Sequence, residues 1–196
     1  MSKSRREFIK KSAAGSAALV AGGILPGFSA ESYRRIPGSN ERIKISVMGV
    51  NSRGKALAMN FARQENCEVA HICDVDSRAI EACQAAVGER QTLDPEGFKD
   101  IRSSLESKEI DALVIAAPDH WHAPASLLAM QAGKHVYVEK PCSHNPKEGE
   151  ILMEAANKYG KVVQMGTQRR SWPKVIEAIE ALKNGVIGRP YFARGW

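Results

Sequence analysis

The chain is short of the residues that build disulfide scaffolds and metal cages. Its four cysteines, Cys67, Cys73, Cys83 and Cys142, contain no Cys-x-x-Cys pair. Cys67 and Cys73 bracket what reads as one extended strand, too far apart to bridge, so all four are expected as reduced, mostly packed thiols. His120, His122, His135 and His144 have no carboxylate cluster near them in sequence, and no metal site is assigned. Acidic residues are scarce at the N-terminus, where Lys3, Arg5, Arg6, Lys10 and Lys11 face Glu7 alone. Of the chain's net charge of +6, +4 therefore lies in residues 1–30 and +2 is left for the rest. A basic arm of that kind removes the main reason to expect nucleic acid as a partner.

The most apolar N-terminal run, residues 13–25, is weakly hydrophobic and too short for a standard membrane span. With Ser4-Arg5-Arg6-Glu7-Phe8-Ile9-Lys10 before it, it resembles a twin-arginine export signal. That resemblance implies recognition by the twin-arginine machinery and a periplasmic location. Gly27-Phe28-Ser29 offers a small-x-small cleavage site and Phe28-Ser29-Ala30 does not, so a cleaved leader and a retained membrane anchor both stay open. The route carries folded proteins, which suits an enzyme that loads a cofactor before export and folds with reduced thiols. Residues 31–42, around Pro37-Gly38-Ser39-Asn40, read as a linker.

Beyond it, strand and helix alternate. Ile43-Lys44-Ile45-Ser46-Val47-Met48 reads as a strand, and a helix runs from the turn after it to Ala62. A second strand ends at Asp74, and Ser77 is the expected cap of a helix over 78–87 that Gly88 stops. Residues 89–99 read as polar and irregular, before a short helix over 101–105. Strands follow over 111–117, 135–138 and 162–165. Helices follow over 122–131, closed by Gly133, and from Asn145-Pro146 to Gly160. The expected fold is α/β, a doubly wound parallel sheet of the Rossmann type over residues 43–170. Ser171-Trp172-Pro173 starts another helix, and residues 190–196 read as an opening strand without a partner. Residues 171–196 are thus expected to begin a truncated C-terminal α+β domain for substrate binding and oligomerisation.

The stretch from Ile43 to Asp74 carries the first chemistry. An apolar strand, the turn Gly49-Val50-Asn51-Ser52-Arg53-Gly54, a helix and a second strand ending in a carboxylate form the unit that holds a dinucleotide. Gly49, Asn51, Ser52, Arg53 and Gly54 are the candidate cofactor contacts, with helix-opening amides facing the pyrophosphate. Asn51 replaces the middle glycine of the usual Gly-x-Gly-x-x-Gly pattern, and asparagine is the side chain that best tolerates left-handed backbone. Asp74 follows Gly54 by 20 residues, the spacing of an acid that binds the adenosine ribose. Such an acid repels a 2′-phosphate, so NAD is the expected cofactor. Arg53 and Arg78 keep NADP open as the alternative.

Three pieces together, this turn, Ala116-Ala117-Pro118-Asp119-His120-Trp121-His122 and Gly133-Lys134-His135-Val136-Tyr137-Val138-Glu139-Lys140-Pro141, resemble the Gfo/Idh/MocA family, the glucose–fructose oxidoreductase and inositol dehydrogenase relatives. The resemblance covers roughly residues 43–196, and Glu-Lys-Pro is its most specific piece. It implies an NAD(P)-dependent oxidoreductase moving hydride between a secondary alcohol of a sugar or cyclitol and nicotinamide. Lys140 is implied as the catalytic amine at the substrate hydroxyl beside the nicotinamide, steadying charge on the carbinol oxygen, and as a cofactor contact as well. Pro118, His120, Trp121 and His122 are implied beside the nicotinamide half, and Glu139 as orienting Lys140 or touching the cofactor, with Pro141 shaping the turn through a cis bond. The family's proton-accepting Asp-x-x-x-His pair has no counterpart after Lys140, so a full-length, homo-oligomeric parent is implied. Two further readings remain. One is a glycoside-cleaving relative that oxidises a ring carbon transiently, which Lys140 disfavours; the other is a non-catalytic nucleotide-binding module.

Overall fold

The computed structural model describes residues 42–194. The export-signal reading and nearly all of the linker lie outside them. A six-stranded, wholly parallel sheet runs in the order β3-β2-β1-β4-β5-β6. Its strands are β1 (Ile43–Met48), β2 (Cys67–Cys73), β3 (Glu96–Phe98), β4 (Ala112–Ile115), β5 (His135–Glu139) and β6 (Val163–Gly166). Between and after them lie helices α1 (Arg53–Phe61), α2 (Ser77–Gly88), α3 (Ile101–Leu105), α4 (His122–Gln131), α5 (Pro146–Tyr159) and α6 (Pro173–Lys183). This is the doubly wound order, and it confirms the expected α/β class. Among the described residues no helix is long and apolar enough to cross a membrane.

Two apolar clusters fill the sheet's two sides. Val47, Val69, Ile72 and Val114 pack with Leu57 of α1 and Ile80 and Val87 of α2. Leu113, Ile115, Val136 and Val138 pack with Ile101 of α3, Met130 of α4 and Leu152 of α5. Neighbouring residues of β4 thus enter different clusters, which is why that strand reads as an unbroken apolar run. β2 departs from strict alternation. Its register against β1 slips between Ile45 and Ser46, and Ala70 is the extra residue of the bulge that lets Val69 and Ile72 face the same cluster.

Several local expectations need correction. Asp76, not Ser77, caps α2 by accepting the Arg78 amide, and Gly88 lies inside the helix, with Glu89 beyond it in ordinary right-handed backbone. The segment read as irregular contains β3, a three-residue edge strand with Gly97 at its centre. Glycine there hides the strand signal, but a Cβ at Gly97 would come within 2.6 Å of Ile80 Cγ2. Asn145 caps α5 with Pro146 at its first turn, and Gly160 closes it at φ +61, as expected. Residues 190–194 form no strand.

Candidate functional site: a cleft at the sheet's switch point

β1 sits where the strand order reverses, with β2 on one side and β4 on the other. The crevice outside such a point is where ligands of open α/β sheets bind. A cavity of about 350 Å³ opens there, lined by Met48 and Gly49 after β1, Asp74 after β2, Pro118 and Trp121 after β4, and Ile101 of α3.

Two glycines of the turn are imposed by geometry. Gly49 adopts φ +82, and a Cβ on it would fall 2.5 Å from the Ala117 nitrogen; a Cβ on Gly54 would fall 2.1 Å from the Gly49 carbonyl oxygen. No flexible side chain can yield there, because both clashes are with backbone. Ser52 opens α1 without a side-chain cap, and no acidic residue stands in its first turn. By contrast α2, α3 and α5 are capped by Asp76, Asp100 and Asn145. α4 and α6 also open without a side-chain cap; what sets α1 apart is that its uncapped amides follow the glycine turn at the switch point, where the helix dipole favours negative charge. Asn51 and Ser52 are exposed at this turn.

Asp74 is held from both sides. One carboxylate oxygen accepts the Val50 amide at 2.8 Å and the other the Asp76 amide at 3.1 Å. Each oxygen keeps a second lone pair for a ribose hydroxyl, so the acid fixes the turn and still fits the ribose role.

Arg53 and Glu139 meet each other across the turn. Glu139 is 5 % exposed, and its Oε1 accepts from Arg53 Nε at 2.9 Å and Nη2 at 2.8 Å. Arg53 thus ties the start of α1 to the end of β5. Glu139 takes Arg53, with Lys140 left exposed at the strand end. Burial and the neighbouring carboxylate push the Tyr137 hydroxyl above its ordinary range, against the opposing Arg53 guanidinium.

His122 is held between two loops. It is 1 % exposed; its Nε2 lies 2.8 Å from the Ala117 carbonyl oxygen and its Nδ1 bonds the Pro141 carbonyl oxygen. The ring is a strut between the loops after β4 and β5, with no nitrogen to offer a ligand. His120 and Trp121 do line the cavity, with Trp121 41 % exposed. The Lys140–Pro141 bond is cis. β4 and β5 are neighbours in parallel register, Ile115 beside Val138, so Lys140 emerges on the same edge of the sheet as the cavity. Among the described residues no three His, Cys, Asp or Glu side chains gather as a metal-holding group.

Lys99, Ile101 and Arg102 are wall residues of the cavity that carry no motif of their own. Asp100 before an apolar residue, capping through the Arg102 amide at 3.0 Å, was the available sign of a helix start at the cleft.

Comparison with known proteins agrees with this geometry. The sequence pattern of the Gfo/Idh/MocA group, described as "Oxidoreductase family, NAD-binding Rossmann fold", matches residues 43–167. An inositol 2-dehydrogenase of Rubrobacter xylanophilus is 33% identical over 161 residues, 81% of this chain and 45% of the relative. A glycosyl hydrolase family 109 protein of Saccharopolyspora erythraea is 26% identical over 207 residues, 98% of this chain and 45% of the relative. The crystal structure of scyllo-inositol dehydrogenase from Lactobacillus casei with bound NAD(H) and scyllo-inositol superposes with a TM-score of 0.65. It is 26% identical and covers 75% of this chain and 42% of its own. The chain spans less than half the length of these relatives.

Proposed function

The chain belongs to the Gfo/Idh/MocA oxidoreductases, with their NAD-binding Rossmann fold, and from that premise we propose that it serves hydride transfer between nicotinamide and a secondary alcohol of a sugar or cyclitol. The observation that carries this reading is the switch-point cleft with Lys140 on its edge. Gly49 and Gly54 let the turn close, the uncapped start of α1 faces the pyrophosphate, and Asp74 takes the ribose. Nicotinamide, when bound, accepts or returns the hydride. Lys140 would hold the alcohol oxygen and steady its charge as the carbon–hydrogen bond breaks, the hydroxyl proton passing to the histidine of the Asp-x-x-x-His pair that the family implies for the full-length protein. Asn51, Ser52, Pro118, His120 and Trp121 complete the cofactor contacts. The resemblance of the N-terminus supports export by the twin-arginine route to the periplasm, and the family supports a homo-oligomeric full-length protein.

The test is reduction of NAD by the full-length protein, read by the absorbance of reduced nicotinamide over a panel of inositols and sugars. Lys140→Ala is expected to lower turnover by about two to three orders of magnitude, as for loss of one electrostatic stabiliser, while NAD binding persists. Turnover unchanged in Lys140→Ala removes the amine from the chemistry.

A second reading is glycoside cleavage with transient ring oxidation. It is favoured by the glycosyl hydrolase family 109 relatives, which align with nearly the whole chain. Release of sugar from an aryl glycoside without net NAD reduction would select it.

A further inference from the structure

A second cavity, of about 430 Å³, is lined by Asn51 of the turn together with Lys55, Asp76 and Arg78. The two amides that hold the Asp74 carboxylate belong to Val50 and Asp76, which are wall residues of this second cavity. A substituent on the ribose oxygen that Asp74 is placed to bind therefore has this cationic cavity as its neighbour.

Its guanidinium is already engaged. Arg78 Nε donates to Asp76 Oδ1 at 3.1 Å and Nη2 to Oδ2 at 2.8 Å, the two-pronged geometry a phosphate would require. The same Asp76 Oδ1 accepts the Arg78 amide at 2.9 Å and caps α2. Hydrogen bonds from Arg78 hold the Asp76 carboxyl below the ordinary carboxylate range, with Lys99 adding to the effect. The arrangement recurs at the head of α3, where Asp100 captures Arg102, a wall residue of the first cavity. Both guanidinium groups beside the adenosine site thus carry an internal carboxylate two residues upstream.

We propose that Asp76 sets coenzyme choice in this chain by occupying Arg78, so that NAD is accepted and a 2′-phosphate is refused. This rests on the reading of the cleft as the NAD site. A 2′-phosphate must displace Asp76 from Arg78 and then lie between two carboxylates.

The experiment is calorimetric titration of the chain with NAD and with NADP. It uses wild type, Asp76→Asn, which keeps a capping oxygen while removing the charge, and Asp76→Asn combined with Arg78→Ala. The Asp76–Arg78 pair is exposed, so Asp76→Asn is expected to tighten NADP binding about three- to fivefold, the scale of one surface ion pair, with NAD affinity changed by less than about twofold. Adding Arg78→Ala removes the gain. The proposal is overturned if NAD binds normally but Asp76→Asn leaves NADP unchanged, if the gain survives Arg78→Ala, or if wild type takes both coenzymes equally. Binding of neither coenzyme by wild type overturns the cleft reading itself, and this proposal with it.

Discussion

At the scale of single residues, the cleft depends on groups whose partners are inside the protein. Glu139 illustrates this: an acid beside Lys140 in sequence turns out to be buried and answered by Arg53, 86 residues away. Only the folded chain brings the two together, so no sequence spacing could announce the pair. Arg53→Ala leaves a buried carboxylate without its donor. It is expected to lower stability by about 1–3 kcal/mol, and Glu139→Gln added to Arg53→Ala should recover part of that loss. Urea denaturation of the three variants measures it. The glycines were legible because their requirement is local to the turn, whereas His122 was not. Its place beside His120 and Trp121 suggested a ligand contact, and what decides its role is the pair of backbone carbonyls at its ring nitrogens.

At the scale of elements, legibility follows how much of the signal is carried by neighbouring residues. α5 was readable to its ends because Asn145, Pro146 and Gly160 are local cap chemistry. The Asn145 side chain accepts the Glu148 amide at 3.0 Å, and Glu148 accepts the His144 amide at 2.8 Å in return. Asn145→Ala is expected to cost about 1 kcal/mol in thermal or urea unfolding. β3 was not readable, because a three-residue edge strand built around glycine has no periodicity of its own and exists only by pairing with His71, Ile72 and Cys73.

His71 links three elements, its Nδ1 2.9 Å from Ser104 Oγ of α3, which in turn lies 2.8 Å from Ser46 Oγ of β1. Desolvation lowers its pKa below 6.5, with Lys134 adding to that and Glu96 and Glu109 opposing it. Between that lowered value and 6.5 the unfolded chain binds the extra proton. Stability contributed by neutral His71 is therefore present above pH 6.5 and lost as pH falls through that window. The urea midpoint should drop on acidification below pH 6.5, and His71→Gln should flatten that dependence.

At the scale of the whole molecule, the doubly wound class was legible because the central strands β1, β2, β4 and β5, buried between helices, leave apolar runs that alternate with helical segments. The strand order then fixes one reversal point, and the glycine turn, Asp74 and Lys140 all fall on the edge where that reversal opens. The central claim is that this cleft takes NAD. Calorimetric titration of the chain with NADH, beside Gly54→Ala of unchanged far-ultraviolet dichroism, tests it most directly. Saturable one-to-one binding by wild type, lost in Gly54→Ala, is the predicted result; no binding by wild type, or equal binding by both, would contradict it.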